Sequence, residues 1–375
     1  MKKLFRLVAV IVAIFLVGCN QKTDTKNETS VNIGGIFPMT GGAAVYGKYF
    51  SDGANLAIVN AIKEGRITKN EVKLIIADGK AKSADSLSAF KKLTERDNVQ
   101  ALMVDLSSVI LAVKPQLNKH KIPSINSSSF GSDIEDADDY MFSILPNAKV
   151  YAEKIAEYSY NTLHKKKAAV VYRNDAMGLS FLNSFKNRFE SLGGKVTFVE
   201  THDPGEKEYA QIVQKLKTSS DVDVVFLASY GAEAARLLKQ SSEYDYKNTY
   251  ITFQGFLIPK VFEVAESAAE GVYILASGFS EDDKKVAKLK KLLKDELGSD
   301  DFNYYVAAHY DAMNMIISAI EKGHTTKEKI KNYIATLKNF EGITGLMNFN
   351  HNGLVNLPLN AYLVKDGKFV KQLNK

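Results

Sequence analysis

The chain is poor in the residues that staple or catalyse. It has one cysteine in 375 residues and no tryptophan. A single cysteine excludes an internal disulfide framework and a cysteine-based zinc site. Six histidines, at 120, 164, 202, 309, 324 and 351, include no His-Glu-x-x-His or similar ligand spacing. No Gly-x-Ser-x-Gly, phosphate-binding loop or dinucleotide glycine fingerprint occurs; Gly34-Gly35 and Gly41-Gly42 do not match those spacings. These absences leave an enzyme reading with little support. Strong charge is lacking too: 49 basic against 43 acidic residues give +6, and Lys2, Lys3 and Arg6 account for three of these. So weak and dispersed a balance gives no electrostatic footprint for nucleic acid. From Val31 onward no run is long and apolar enough to be a transmembrane helix.

What is present is an ordinary globular balance, 45% hydrophobic and 25% charged, in a length that suits two domains. Residues 1–18 form a separate segment. A basic start precedes an apolar run over 7–18, too short to span a bilayer comfortably, and reads as a signal peptide. The run ends in Leu16-Val17-Gly18-Cys19, which resembles the bacterial lipobox. The only thiol of the chain then falls where a lipid would be attached. Residues 19–30 are polar, without large apolar side chains, and read as a lipidated tether.

The body alternates short apolar runs with amphipathic stretches. Strands are expected at 31–37, 72–78, 99–106 and 122–126, with helices at 53–63, 84–95 and 109–119 between them. The rhythm restarts with a helix at 150–164. Strands follow at 168–172, 196–200, 222–228, 250–253 and 271–276, separated by helices at 179–192, 209–218, 232–243 and 259–268. Three helices at 284–297, 304–322 and 327–337 precede closing strands at 346–350 and 359–364, beside the Asn352-Gly353 and Asp366-Gly367 turn signals. Two α/β runs with parallel sheets and a cleft between them are the simplest assembly. Ligands in such folds sit beyond the carboxyl ends of the strands. The residues there are small hydroxyls, glycines and aromatics: 38–47, Ser107-Ser108, Ser127-Ser128-Ser129-Phe130, 174–178, Ser229-Tyr230-Gly231 and Gln254-Gly255-Phe256. Loops of this kind let backbone N–H groups and hydroxyls converge on a carboxylate while rings cover an apolar part.

Three stretches carry a resemblance. Ile36-Phe37-Pro38-Met39-Thr40-Gly41 with Tyr46-Gly47 and Gly53-Ala54-Asn55-Leu56-Ala57 is the first. Leu106-Ser107-Ser108, followed by Ile122-Pro123 and the serine run, is the second. Asp203-Pro204-Gly205 with Tyr209, then 226–231 and Glu233-Ala234-Ala235, is the third. In this order the chain resembles a type I periplasmic solute-binding protein of the branched-chain amino acid (leucine-binding) family, the receptors of ABC importers, over nearly all of 31–375.

The resemblance implies two Rossmann-like lobes, 31–147 with 278–350 and 148–277 with 351–375, joined by three hinge crossings. It implies a monomeric, extracytoplasmic, membrane-anchored receptor, with no cofactor and no metal, that captures an amino acid or related small carboxylate or amide and delivers it to an ABC permease. Ligand sensing or cell-wall regulation on the same fold is the alternative. Carried over residue by residue, the ligand's carboxylate falls to Ser107 and to Ser128, Ser129 and Phe130. Tyr46 covers it from the first loop, Met177 and Tyr230 contribute from the second lobe, and Gln254 stands where the family has the acid that pairs with an ammonium. An amide supplies no counter-charge. Either Asp105 or another acid takes over, or the ligand lacks a free ammonium.

Overall fold

The computed structural model describes residues 30–372 apart from 132–133, 135, 137–138, 220, 259 and 279–283. The signal segment, Cys19 and nearly all of the tether therefore lie outside the described residues.

The β-branched and aliphatic runs pair as the alternation requires. Strands β1 (Val31–Phe37), β2 (Val72–Asp78), β3 (Ala101–Val104), β4 (Ser124–Asn126) and β5 (Met141–Ser143) form a five-stranded parallel sheet in the order β2-β1-β3-β4-β5. The second sheet has seven strands in the order β14-β13-β10-β9-β8-β6-β7. They are β6 (Lys167–Arg173), β7 (Lys195–His202), β8 (Val224–Ala228), β9 (Tyr250–Phe253), β10 (Tyr273–Ser277), then β13 (Leu359–Lys365) and β14 (Lys368–Lys371). Strands β6 to β10 are parallel, whereas β13 and β14 run antiparallel at the edge. Between these come two short strands, β11 (Phe340–Glu341) and β12 (Leu346–Met347), which pair with each other.

The helices that place the site are α1 (Ala44–Lys63), α2 (Ser83–Lys91), α3 (Ser107–His120), α4 (Ala148–Glu157), α5 (Ala176–Ser191), α6 (Ala210–Thr218) and α7 (Gly231–Glu243). They are followed by α8 (Lys260–Ala265), α9 (Lys284–Leu297), α10 (Tyr304–Glu321) and α11 (Lys327–Thr336). The fold is α/β with two parallel-sheet lobes, as the alternation requires. Individual bounds differ. Helix α1 begins at Ala44 rather than near 53, because Tyr46, Tyr49 and Phe50 already face the core before the Gly53 contact. The helices expected over 84–95 and 150–164 each end in a π-helical turn, Lys92–Arg96 and Tyr158–Thr162. Strand β5 has no separate sequence signal. The closing pair is also different: the Asp366-Gly367 turn joins β13 to β14, while β12 pairs back onto β11.

One hydrophobic cluster fills the second lobe and the α1/α10 side of the first sheet; a smaller one, with Phe90, Leu102, Ile110 and Leu117, lies on that sheet's other face. Helix α10 is buried along almost its whole length, against α1. Its polar residues are therefore costly unless bonded. Asp311 accepts from the backbone N–H of Ile343 and Thr344, both at 2.8 Å, and from the Thr344 hydroxyl at 2.7 Å. Burial still pushes its carboxyl up to about 6, against those three hydrogen bonds. A folded-state value above the unfolded one means that this carboxyl's stabilising contribution is fully present below about pH 3.8 and is lost as pH rises through about 6. The expected result is that wild type loses stability relative to Asp311→Asn between pH 4 and 7, measured by urea unfolding at several pH values. A difference that stays flat over that range would contradict it.

Candidate functional site

The chain crosses between the sheets three times. It leaves β5 at Ser143 and enters α4 at Ala148. It leaves β10 at Ser277. Finally, Ser143 and Gly353–Val355 are joined by backbone bonds (Ser143 N–H to the Gly353 carbonyl, 2.8 Å; Val355 N–H to the Ser143 carbonyl, 3.0 Å) before the chain reaches β13 at Leu359. The carboxyl ends of both sheets supply the loops singled out in the sequence.

In the first lobe the loop after β1 is tied to the end of β2: Met39 N–H and the Thr40 hydroxyl donate to the Asp78 carboxylate at 2.9 and 2.5 Å. Gly47 lies so close to this loop that a Cβ would sit 2.2 Å from the Pro38 carbonyl oxygen. That approach holds the preceding Tyr46 at the inter-lobe face. The loop after β3 turns through Leu106 at φ 71° into α3, whose first turn has no side-chain cap. Ser107 is buried and its hydroxyl lies 2.7 Å from that of Ser129. Only one hydroxyl hydrogen is needed between them, so the pair retains one donor.

The serine run after β4 is fully organised from within. Asn126 Oδ1 accepts from the N–H groups of Ser128 and Ser129, and its amide nitrogen donates to the Ser129 carbonyl and the Ser143 hydroxyl. Asp105 Oδ1 accepts from Ser127 N–H (2.9 Å), the Ser127 hydroxyl (3.3 Å) and the Ser128 hydroxyl (2.9 Å). Its Oδ2 faces His309 Nε2 at 2.9 Å, and His309 Nδ1 faces the Tyr305 carbonyl at 2.7 Å. The imidazole stacks on Phe50, with ring centroids 4.1 Å apart. Asp105 is thus saturated inside the lobe. Phe130 points away from these serines. It is wholly buried in a ring cluster of the second lobe, with centroids 5.0 Å from Phe253, 5.4 Å from Tyr151 and 6.4 Å from Phe181.

In the second lobe Asp175 caps α5 by accepting from Gly178 N–H at 2.9 Å. Met177, in that first turn, is wholly buried in the main cluster. Tyr230 begins α7, with the Arg173 guanidinium 4.9 Å from its ring centre. Gln254 is wholly buried at the second crossing: its Oε1 accepts from Tyr151, from Ser277 N–H at 2.8 Å and from the Ser277 hydroxyl at 2.7 Å. A backbone N–H can only donate, so it fixes the orientation of this amide.

The two lobes meet through tyrosines. The ring of Tyr46 lies 5.6 Å from Tyr230 of the other lobe and 5.2 Å from Tyr305 of α10, and Tyr304 lies 5.8 Å from Tyr305. The hydroxyls of Tyr46 and Tyr305 are buried without a hydrogen-bond partner, as is Glu233 Oε2, whereas the Tyr304 hydroxyl lies beside Ser277 and Gln254. Burial pushes all three phenols, and Tyr230, well above their ordinary range; for Tyr46 the Glu233 charge adds to it. They keep their protons and can donate. Arg173 is partly desolvated, but the Glu233 and Asp175 carboxylates hold its charge on.

The structure therefore brings together Tyr46 with Tyr230, and Ser107 with Ser129, while the Ser128 hydroxyl turns to Asp105. It places Phe130 and Met177 in packing and Gln254 at a crossing. Arg173, Tyr304, Tyr305 and His309 were not read from the sequence, and Glu233 was read only as part of a motif. The available signal was polarity in the wrong place: a tyrosine pair opening an apolar helix, and a histidine inside it.

A family model described as periplasmic binding protein matches residues 30–368. The chain is 22% identical over 345 residues to a Leu/Ile/Val-binding protein homolog of Brucella melitensis, covering 91% of this chain and 93% of that one. It superposes on the branched-chain amino acid transporter substrate-binding protein LivJ of Streptococcus pneumoniae, solved with isoleucine, with a TM-score of 0.82 at 22% identity, covering 92% and 100% of the two chains. A solute-binding protein of an ABC transporter from R. palustris, solved with benzoate, gives a TM-score of 0.83 at 16% identity, covering 91% and 95%. With the family model matched over residues 30–368, the chain belongs to the periplasmic binding protein family.

Proposed function

We propose that this protein is an extracytoplasmic solute-binding lipoprotein. It captures an amino acid or a related small carboxylate or amide between its lobes and delivers it, unaltered, to an ABC permease. The observation that carries this reading is the tyrosine contact between the lobes, where Tyr46 meets Tyr230 and the hydroxyls of Tyr46 and Tyr305 are buried unpaired. Buried polar groups left unmatched cost free energy, and a small polar solute held in the gap supplies the partners. The uncapped start of α3 with Ser107 and Ser129 suits a carboxylate. A ligand that touches both lobes binds the closed form better and shifts the open–closed equilibrium by that difference. Hinge motion is assigned to the segments near 147 and 277 and to a third that the sequence reading puts near 350–353; the backbone bonds tying Gly353 and Val355 to Ser143 favour the stretch just after Val355. Names of relatives support the solute class: leucine, isoleucine or valine binding, and benzoate in one neighbour.

A thermal-shift screen of amino acids, amides and aromatic carboxylates tests capture, and uptake of the best hit in a deletion strain tests delivery. Stabilisation by at least one compound and loss of its uptake are expected. Stabilisation with intact uptake would overturn the transport role.

Membrane attachment is assigned to Cys19. Cys19→Ala is expected to move the protein from the membrane fraction to the soluble or secreted fraction, followed by immunoblotting. Unchanged membrane association would contradict a lipid anchor at this thiol.

A further inference from the structure

The acid that the resemblance places at 254 is a glutamine, and Asp105, the alternative, is saturated by Ser127, Ser128 and His309. Asp105, Glu233 and Asp311 are the buried carboxylates among the described residues. Asp311 is saturated by Ile343 and Thr344. Of these three, Glu233, 6% exposed, is the one that keeps an oxygen without a partner. Its Oε1 accepts from Gly205 N–H at 2.8 Å and lies 3.5 Å from an Arg173 nitrogen, while Oε2 is buried and unpaired. Arg173 also pairs with Asp175 at 2.8 Å. One guanidinium thus faces two carboxylates, leaving a net negative charge beside Tyr230 and Tyr46.

Geometry puts this charge one strand over from position 254. Glu233 lies in the first turn of α7 after β8, and Gln254 follows β9. The two loops touch: a Cβ on Gly231 would sit 2.7 Å from the Gly255 carbonyl oxygen. Beside Gln254 the two lobes are packed together by Phe130 on its ring partners Tyr151 and Phe253. The contact of Tyr46 with Tyr230 and Tyr305 is then the inter-lobe place left for a ligand, and the Glu233 charge acts on Tyr46 and Tyr230 there.

We propose that Glu233, with the Tyr46 hydroxyl from the opposite lobe, binds the ammonium of an amine-bearing carboxylate, replacing the acid missing at position 254. This rests on the solute-capture reading and specifies its ligand class. An ammonium donates to the carboxylate oxygen and to the phenol oxygen together, which ties the second lobe to the first and makes closure depend on the amine.

The test is calorimetry on the full chain with matched pairs: L-leucine against 4-methyl-2-oxopentanoate, and L-phenylalanine against phenylpyruvate. For at least one pair, wild type is expected to bind the amino acid at least tenfold tighter than its oxo acid. Glu233→Gln is expected to erase that preference, weakening the amino acid at least tenfold and the oxo acid less than threefold. Glu233→Asp keeps the charge and is expected to keep the preference, which guards against a Gln variant that simply folds poorly. Tyr46→Phe should move the preference in the same direction by less. Equal weakening of both members by Glu233→Gln would show a merely structural role through Gly205 and Arg173. Oxo-acid preference in wild type, or a tenfold amino-acid gain in Gln254→Glu, would overturn the proposal while leaving solute capture intact. Binding of neither member of either pair would overturn capture of this solute class and the proposal with it.

Discussion

Asp105→Ala is expected to cost about 3–5 kcal/mol of folding stability, the range for removing one partner of a buried ion pair or network. The carboxylate is wholly enclosed and receives four donors from three residues on two elements: two from Ser127 and one from Ser128 in the serine loop, and one from His309 on α10. Without it, His309 keeps only the Tyr305 carbonyl and the serine hydroxyls lose their acceptor in a dry interior, where each unmatched donor is costly. The serine loop would also slacken, so affinity for a carboxylate ligand is expected to fall together with stability. Urea unfolding of wild type and variant checks this. A loss below 1 kcal/mol would mean that the network is not held through Asp105.

The second large effect is expected at Phe130. This residue leaves the first lobe's serine loop, inserts its ring among Tyr151, Phe181 and Phe253, and accepts through its carbonyl from Ala148 N–H, the first residue of α4. Phe130→Ala removes a buried ring and leaves a cavity, for an expected loss of about 3–5 kcal/mol. Phe130→Leu should recover more than half of that, because it restores most of the volume without the ring geometry. The cavity would adjoin Tyr151, which bonds Gln254 at the second crossing, so Phe130→Ala is also expected to admit a larger ligand side chain between the lobes. Thermal unfolding with and without the best-bound amino acid checks both; a variant as stable as wild type would show that the ring does not bridge the lobes.

Much of this fold was legible because parallel strands buried on both faces are continuous apolar runs, as at 31–37, 222–228 and 250–253. Element ends were less legible. Helix α1 starts nine residues before the pattern suggested, since its early aromatics face the core while Gly47 and Gly53 interrupt the periodicity. Strand β5 is three residues long and owes its existence to pairing with β4, a tertiary effect that no local pattern encodes. The site was legible as loops following strands. The resemblance fixed which loops matter, but not which side chains face the gap. Ser128 looks like a free hydroxyl in the sequence, yet its hydroxyl bonds to Asp105; the Gln254 oxygen takes three donors at a crossing, while its Nε2 is buried without a partner. Glu233 reads as a helix-start acid until burial and its one unpaired oxygen are seen.

The central claim is reversible capture of one small solute between the lobes without chemistry. Native mass spectrometry of the purified full chain, incubated with the amino acids, amides and aromatic carboxylates of the thermal screen, tests it most directly. The expected result is a single adduct per chain for at least one compound, released on denaturation at its original mass. No adduct with any member of the set, or release of a compound of altered mass, would contradict it.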